Sequence, residues 1–298
     1  MRKAIIELGT NSAKLLVADL YDQDIHIVYE QVVVSRLGEN LHQSGIIHPL
    51  AFARNQKLIE DFVDQCHQLR VHKISTVATM ALREAQNAAE FVQNTKRAVN
   101  LDIRILSGEE EARLSYDGAL AGLNVGDDNY MVADIGGGST DIGYGSLNQI
   151  TYVKSIEMGA LMLYNLFGKA DPPAASTRLE MASLIHSNLE RYIHFAHPLC
   201  LVGVGGTIVT LASVMAHSTG EPEKVLHNSK ITYEEVEFCL ERFVSMDLEN
   251  RRQIKGMPSG RAEIIIYGAL IAIELMKYCG MEDMLVSCRG LRHALLTE

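Results

Sequence analysis

The chain contains one internal repeat, which limits the available folds more than any other feature of the sequence. Residues 4–20 read AIIELGTNSAKLLVADL, and residues 131–147 read MVADIGGGSTDIGYGSL. Each segment predicts an apolar strand that ends in an acidic residue, then a short loop with glycine, then a second strand. When the acids are aligned, Glu7 matches Asp134 and Gly9 matches Gly136. Two related halves are therefore predicted.

The rest of the chain predicts alternating helices and strands. A length of 298 residues has room for two domains, which we place at 1–122 and 123–298, with the C-terminal residues able to pack back on the first. Helices are predicted over 48–70, 81–99 with a break near Asn87, 107–122, 177–195, 208–215, 232–243 and 262–277. Strands are predicted over 74–78, 103–106, 199–204 and 284–287, and a turn over 205–207. This order predicts an α/β fold.

Composition excludes several classes of function. The formal net charge of −10 argues against a nucleic-acid surface. The most apolar stretch, 264–276, is too short to span a bilayer and contains Glu274, so no membrane insertion is expected. The N-terminus does not resemble a signal peptide, and the five cysteines show no CxxC spacing. We therefore expect reduced thiols and a cytoplasmic protein.

The second loop, Asp134-Ile-Gly-Gly-Gly-Ser-Thr-Asp141, carries the strongest chemical signal. Its glycines let backbone N–H groups approach anionic oxygens, and its hydroxyls add donors. The chain then continues as a strand, whereas a Rossmann or Walker loop opens a helix. A hairpin without a ligand is the alternative, but it does not need the flanking carboxylates. We predict phosphate contacts at Gly9, Thr10, Asn11 and Ser12 of the first loop and at Gly136, Gly137, Gly138, Ser139 and Thr140 of the second.

Three acids flank the two loops and suggest a metal. Glu7, Asp134 and Asp141 offer the oxygen ligands that Mg²⁺ prefers when it bridges phosphates. For any one of these acids, a cap or turn role fits equally well. No Gly-x-Ser-x-Gly elbow is present, which disfavours a serine hydrolase.

A third glycine motif and two single residues complete the predicted site. The turn at Gly205, Gly206 and Thr207 precedes a helix, whose dipole and N–H groups could bind phosphate, although a turn packed for shape is an equal reading. Arg83 starts a helix after a strand and could clamp phosphate, or pair with Glu84 or Glu90.

The three glutamates of the run Glu109-Glu-Glu111 have different expected roles. Glu110 is explained by a capping box with Ser107, and Glu109 by compensation of the helix dipole. Neither effect explains Glu111, which could orient or deprotonate a water molecule that attacks phosphorus.

These residues stand in blocks that resemble one protein family. The chain is similar to the exopolyphosphatase and guanosine-pentaphosphate phosphatase family, within the superfamily of acetokinase, sugar kinases, Hsp70 and actin. In the family's order, the similar blocks are ELGTNSAKLL, ATMALREAQN, ILSGEEEARL, VADIGGGSTDI, VGVGGTIVTLA, MPSGRAEIIIYGAL and VSCRGLRHALL.

The resemblance implies a fold, a reaction and three roles. It implies the short form with two ribonuclease-H-like domains and a cleft between them, dependence on Mg²⁺, and release of terminal phosphate from polyphosphate or guanosine pentaphosphate. By motif position, Glu111 corresponds to the glutamate that activates water, Asp134 to the acid of the second loop, and Arg83 to an arginine that contacts phosphate.

The chain departs from the family pattern at three loop positions. Glu7 stands where Asp is usual, Asp141 where Glu is usual, and Lys14, a further phosphate-binding candidate, where many members carry Arg. A sensor that binds a guanosine polyphosphate without turnover is therefore one alternative. A small-molecule kinase of the same superfamily, with the turn at 203–207 holding ATP, is the other. The oligomeric state stays open, with a homodimer as one option.

Overall fold

The computed structural model describes residues 1–21, 24–126, 129–168, 170–195, 198–220 and 222–298. It divides into two compact units, the first formed by Met1–Glu110 with Ala294–Glu298 and the second by Glu111–His293. The C-terminal residues join the first unit through hydrogen bonds, since the Lys3 ammonium donates to the Leu296 carbonyl at 3.0 Å and Arg104 to the Glu298 carboxylate at 3.1 Å. We placed the division after Gly122, whereas the units divide at residue 110.

Each unit contains one sheet among its described residues. The first sheet consists of β1 Arg2–Leu8, β2 Ser12–Tyr21, β3 Asp24–Val34, β4 Lys73–Ala78 and β5 Ile103–Ile105, in the order β3-β2-β1-β4-β5. The second consists of β6 Tyr130–Ile135, β7 Thr140–Gly145, β8 Ile150–Ile156, β9 Cys200–Val204, β10 Lys230–Thr232 and β11 Asp283–Val286, in the order β10-β11-β9-β6-β7-β8.

The two sheets share one topology. In each, the first three strands are antiparallel neighbours, and the first strand pairs in parallel with the fourth. The parallel series continues to β5 in the first sheet and to β11 in the second. The predicted repeat and the predicted fold class, α/β with two ribonuclease-H-like domains, are therefore confirmed.

The helices follow the predicted alternation. The helices that precede β6 in the sequence are α1 Leu41–Ser44, α2 Pro49–Gln68, α3 Met80–Glu84, α4 Ala88–Val99 and α5 Gly108–Leu120. The helices that follow β8 in the sequence are α6 Ala160–Phe167, α7 Ala175–Tyr192, α8 Gly205–Met215, α9 Pro222–Leu226, α10 Tyr233–Val244, α11 Leu248–Arg252, α12 Ile265–Cys279 and α13 Leu291–Thr297. Among the described residues, no helix is both long and apolar enough to cross a membrane.

Local chemistry explains where several helices begin and end. Pro49 occupies the first turn of α2, where a missing N–H costs nothing. The predicted break near Asn87 is confirmed, because Ala85 adopts an extended conformation between α3 and α4. The predicted turn over 205–207 is wrong, since α8 begins at Gly205 itself. Gly205 has a φ of 85°, which lets the chain pass from β9 directly into the helix.

Helices cover both faces of the second sheet, and the alternation of β6 decides which residues face which layer. Met131 and Ala133 belong to the large core with α6, α7, α8, α10 and α12. Val132 packs with Tyr116 and Leu120 of α5. Because successive side chains of a strand point to opposite faces, Asp134 lies on the α5 face with Val132.

Candidate active site

The two glycine loops have the same turn geometry. The Gly9 N–H donates to the Ser12 carbonyl at 3.0 Å, and the Gly136 N–H donates to the Ser139 carbonyl at 2.9 Å. A Cβ atom at Gly9 would lie 2.9 Å from the Ser12 carbonyl oxygen, and one at Gly136 would lie 3.1 Å from that of Ser139. Glycine therefore permits the same tight fold in both hairpins.

The first loop is held by the segment that follows β3. The Asn11 carbonyl accepts from the N–H groups of Ser35 and Arg36 at 3.0 and 2.9 Å, and the Thr10 carbonyl accepts from Gly38 at 2.9 Å. Because a trans peptide is planar, the Asn11 N–H points opposite to the Thr10 carbonyl, away from Gly38. The Asn11 side-chain oxygen is buried and accepts no hydrogen bond from the described residues. The Asn11 N–H suits an anionic oxygen, and the side-chain oxygen suits a ligand group that donates a hydrogen bond.

The second loop is held by the N-terminus of α6. The Gly136 carbonyl accepts from Ala160 at 3.0 Å, and the Gly137 carbonyl accepts from Leu161 and Met162 at 2.8 and 3.0 Å. The first N–H groups of α6 are thus used by the loop. By peptide planarity the N–H groups of Gly137 and Gly138 point away from α6, and no hydrogen bond among the described residues uses either of them. They are placed to bind an anion.

The hydroxyls of the second loop differ in what they contact. Thr140 is fully buried, and its hydroxyl donates to the Met158 carbonyl at 2.5 Å. Ser139 is also buried, and its hydroxyl donates to the Asp141 carboxylate at 3.4 Å. Thr140 therefore anchors the loop, and among these hydroxyls Ser139 lies beside the acid pair.

Asp134 and Asp141 lie on one face of the second hairpin. They are directly opposite in the β6–β7 register, as Glu7 and Lys14 are in the β1–β2 register. Residues opposite each other in an antiparallel pair have adjacent side chains. In the first hairpin this gives an ion pair of 2.7 Å between the Lys14 ammonium and the Glu7 carboxylate. In the second it puts two carboxylates side by side.

Helix α5 brings Glu111 to the same acids. The Ser115 hydroxyl donates to the Asp134 carboxylate at 3.0 Å. Glu111 precedes Ser115 by four residues, so both lie on one helix face. Glu111 is only 7% exposed, whereas Glu109 and Glu110 are exposed. A buried glutamate one turn from the contact with Asp134 is a candidate catalytic group. We did not predict Ser115, although its spacing from Glu111 is visible in the sequence.

The acid pair of the second hairpin fits Mg²⁺. The described residues contain no group of three or more His, Cys, Asp or Glu side chains that could hold a metal. Mg²⁺ is commonly held by one or two carboxylates together with substrate phosphates and water, so Asp134 and Asp141 suffice. Glu7 already has the Lys14 ammonium beside it. The metal itself stays a prediction.

The predicted phosphate turn at the start of α8 touches Asp134. A Cβ atom at Gly205 would lie 2.3 Å from an Asp134 carboxylate oxygen, and one at Gly206 would lie 1.8 Å from the Arg261 guanidinium. Thr207 is buried, with its side chain against Gly268 of α12. Its hydroxyl therefore faces the core, and the first-turn N–H groups beside Arg261 are the part of this motif that suits an anion.

Arg83 lies in the first unit, on α3, whose first residue, Met80, contacts the first loop. Its guanidinium donates to the Leu106 carbonyl at 2.9 Å and lies 3.6 Å from the Glu84 carboxylate. The Glu84 contact that we weighed as an alternative is thus present. The Thr10 hydroxyl contacts the Met80 sulfur at 3.8 Å, which ties the start of α3 to the first loop.

Comparison with known proteins identifies the family of the chain. Residues 16–298 match the model of the Ppx/GppA phosphatase family. The chain belongs to this family. The matched region includes the second loop and Glu111 and begins just after the first loop.

Individual members of the Ppx/GppA family are similar over nearly the whole chain. Exopolyphosphatase 2 of Mycobacterium tuberculosis is 28% identical, covering 96% of this chain and 94% of that protein. A guanosine-5'-triphosphate,3'-diphosphate pyrophosphatase of Aeromonas hydrophila is 27% identical, covering 98% of this chain and 58% of that protein. The crystal structure of the Aquifex aeolicus Ppx/GppA family member has a TM-score of 0.83 and 26% identity, covering 99% and 96% of the two chains. The family prediction is confirmed.

Gly159 of this protein packs directly against the backbone of the second loop. Its φ of −123° and ψ of 163° are open to alanine, but a Cβ atom would lie 2.4 Å from the Gly137 carbonyl group. We expect Gly159→Ala to displace the loop and to lower phosphate release by about 10²-fold, the effect of a misplacement near 1 Å. Stability should fall by about 1–3 kcal/mol from overpacking.

Gly168→Ala is the matched control for Gly159→Ala. It lies at the other end of α6, where a Cβ atom would lie 2.4 Å from the Tyr164 carbonyl oxygen. We expect a similar loss of stability in urea denaturation, with phosphate release close to that of the wild type. Equal rates in the two variants would contradict a positioning role for Gly159.

The predicted capping box at the start of α5 is present, and its Glu110 carboxyl has a lowered pKa. The Ser107 N–H donates to the Glu110 carboxylate at 2.8 Å, and the Glu110 N–H donates to the Ser107 hydroxyl at 3.2 Å. The Ser107 backbone bond and the Arg104 guanidinium lower the pKa of Glu110 from 4.5 to about 2. Its contribution to stability is therefore complete above the unfolded pKa and is lost as the pH falls toward 2.

We expect the difference in unfolding free energy between the wild type and Glu110→Gln to be constant above about pH 5 and to shrink toward zero near pH 2. Urea denaturation across this range measures it. A difference that does not change with pH would show that the Glu110 charge has no part in the box.

Proposed function

We propose that this protein removes the terminal phosphate from inorganic polyphosphate or from guanosine pentaphosphate. One observation carries the proposal: buried Glu111 lies one helical turn from Ser115, which binds Asp134 beside a loop with outward N–H groups. The names of the relatives from M. tuberculosis and A. hydrophila supply the two substrate classes.

In the proposed reaction, each glycine loop supplies N–H donors for phosphate oxygens within its own unit. In the first loop the Asn11 N–H serves this role, and in the second the N–H groups of Gly137 and Gly138. Arg83 adds a guanidinium in the first unit, where the Lys14 ammonium is paired with Glu7. Such donors stabilise the charge of the transferred phosphoryl group and need no reorganisation during the reaction, which is how most catalysis of phosphoryl transfer is achieved.

Glu111 accepts a proton from the attacking water, or orients that water, as the P–O bond to the leaving phosphate breaks. Its burial keeps the carboxylate in one position, and the capping box at Ser107 and Glu110 fixes the start of its helix. Asp134 and Asp141 would hold Mg²⁺, which neutralises charge on the phosphates when it is bound. Ser115 positions Asp134.

Parallel assays of phosphate release test the proposal. Purified protein is incubated with polyphosphate, guanosine pentaphosphate and ATP, each with and without Mg²⁺, and free phosphate is measured. We expect release from at least one of the first two, dependent on Mg²⁺, and little from ATP. Binding of guanosine pentaphosphate without release would favour the sensor, and ATP-dependent phosphorylation of a small molecule would favour the kinase. Either result would overturn the proposal.

A further inference from the structure

A cavity of about 330 Å³ lies within the second unit, among residues of β8, α6 and α7. Its apolar lining consists of the half-buried Met162 and Leu184, with Met158 and Leu163 buried beneath them. Its rim includes Lys154, Asn188, Arg191 and the carboxylate Glu157. The volume is in the range of small-molecule sites, and the lining is more polar than apolar.

The two cations of the rim both lie over the ring of Tyr192. The Lys154 ammonium lies 5.0 Å from the centroid of the Tyr192 ring, and the Arg191 guanidinium lies 5.2 Å from it. Within the described part of the chain, neither cation forms an ion pair with a carboxylate. Glu157 also lines the cavity, so its lining has two cations against one carboxylate. In a protein with a net charge of −10, this local excess of positive charge favours an anionic ligand.

Lys154, one of the two cations of this cavity, faces away from the acid pair of the candidate active site. Lys154 is directly opposite Ile142 in the β7–β8 register, whereas Ser155 is opposite Asp141. Because side chains alternate along a strand, Lys154 points to the face of the sheet opposite to that of Asp141 and Asp134. A ligand beside Lys154 therefore lies on the other side of the sheet from the carboxylates.

The wall of the cavity is nevertheless connected to the second phosphate loop. The Met158 carbonyl accepts from the Thr140 hydroxyl, and the Met162 N–H donates to the Gly137 carbonyl. Methionine side chains adapt to the shape of a ligand. Met158 is buried, whereas Met162 is half-buried. A ligand that packs on the Met162 side chain therefore contacts a residue that anchors the loop.

We propose that this cavity binds a small organic anion, with an apolar body on Met162 and Leu184 and a phosphate or carboxylate group beside Lys154 and Arg191. Binding there changes the rate of phosphate release through Met162. The ligand site itself does not depend on the proposed function; only its effect on rate does.

Methyl NMR of the full chain tests the site without turnover. The protein is labelled with ¹³C-methyl methionine, the Met162 signal is assigned with Met162→Leu, and phenyl phosphate is titrated as the probe. We expect a saturable shift of the Met162 signal, with benzyl alcohol, an uncharged analogue, binding about tenfold more weakly. Lys154→Gln and Arg191→Gln should each weaken phenyl phosphate about tenfold.

Lys73→Gln is the matched control, because Lys73 is an exposed lysine of β4 in the first unit. It removes the same charge and should leave the affinity unchanged. The absence of a saturable shift, or equal affinity in the Lys154→Gln/Arg191→Gln double variant, would overturn the site.

Phosphate release with and without the probe tests the effect on rate. We expect phenyl phosphate to change the rate of the wild type and not that of the double variant. A change that persists in the double variant would mean that the probe acts at the phosphate loops, and would overturn the coupling. If no variant releases phosphate while the Met162 shift behaves as expected, the proposed function fails and the ligand site stands.

Discussion

Glu111→Gln is expected to lower phosphate release by about 10²–10⁴-fold, the contribution typical of a positioned general base. The amide keeps the shape of the side chain, but it replaces one acceptor oxygen with an NH₂ donor and cannot accept the proton of the attacking water. Glu111 is buried on the α5 face that contacts Asp134. The measurement is a single-turnover assay of phosphate release at saturating substrate, with urea denaturation to show that the variant folds.

Glu109→Gln is the matched control for this loss. It makes the same change of charge two residues earlier in the same helix, at an exposed position. We expect its rate to be close to that of the wild type. A loss of similar size in both variants would assign the effect to the charge at the helix start. A wild-type rate in Glu111→Gln would show that another group activates the water.

Asp134→Asn is expected to abolish most of the response to Mg²⁺. Asp134 and Asp141 are adjacent on one face of the β6–β7 hairpin, and like charges in such a pair repel each other. A bound cation relieves this repulsion, so Mg²⁺ should raise the melting temperature of the wild type by binding the folded state. The asparagine can still accept a hydrogen bond from Ser115 but is a weaker ligand. Phosphate release should fall by about 10²-fold or more.

Two measurements separate metal binding from catalysis in this variant. Thermal unfolding over a series of Mg²⁺ concentrations reports binding without substrate, and the phosphate assay over the same series reports turnover. Asp102→Asn, an exposed acid paired with Lys96 at 2.7 Å, is the control for charge and should respond to Mg²⁺ as the wild type does. An unchanged melting response in Asp134→Asn would place the metal elsewhere.

Sequence reasoning succeeded where the signal is local. The helix start at Pro49, the break near Asn87 and the capping box of Ser107 and Glu110 each depend on a few neighbouring residues, and each is present. The prediction of a turn over 205–207 was wrong, because the local sequence there does not determine the backbone conformation. Glycines in sequence indicate a sharp change of direction, but they do not show that one positive φ completes it within the helix start.

The supports of the loops were not predicted, because they come from distant parts of the chain. Gly38 and Gly159 follow the third strand of each repeat, and each approaches a loop so closely that a Cβ atom would lie 2.3 Å or 2.4 Å from it. Equivalent positions in two weakly similar halves become visible only when both sheets are compared. Lys14 and Thr140 stay predicted phosphate contacts. Their polar atoms contact the Glu7 carboxylate and the Met158 carbonyl, which the sequence did not indicate.

The order of residues alone was enough to establish the repeat, the α/β class, the family resemblance and the likeness of the two glycine loops. These follow from periodicity and motif spacing, which are properties of the linear chain. Folding was needed to show which loop N–H groups point outward, that Ser115 binds Asp134, and that Asp134 faces Asp141 whereas Glu7 faces Lys14. Hydrogen-bond direction and strand register join residues far apart in sequence, so only the packed structure determines them.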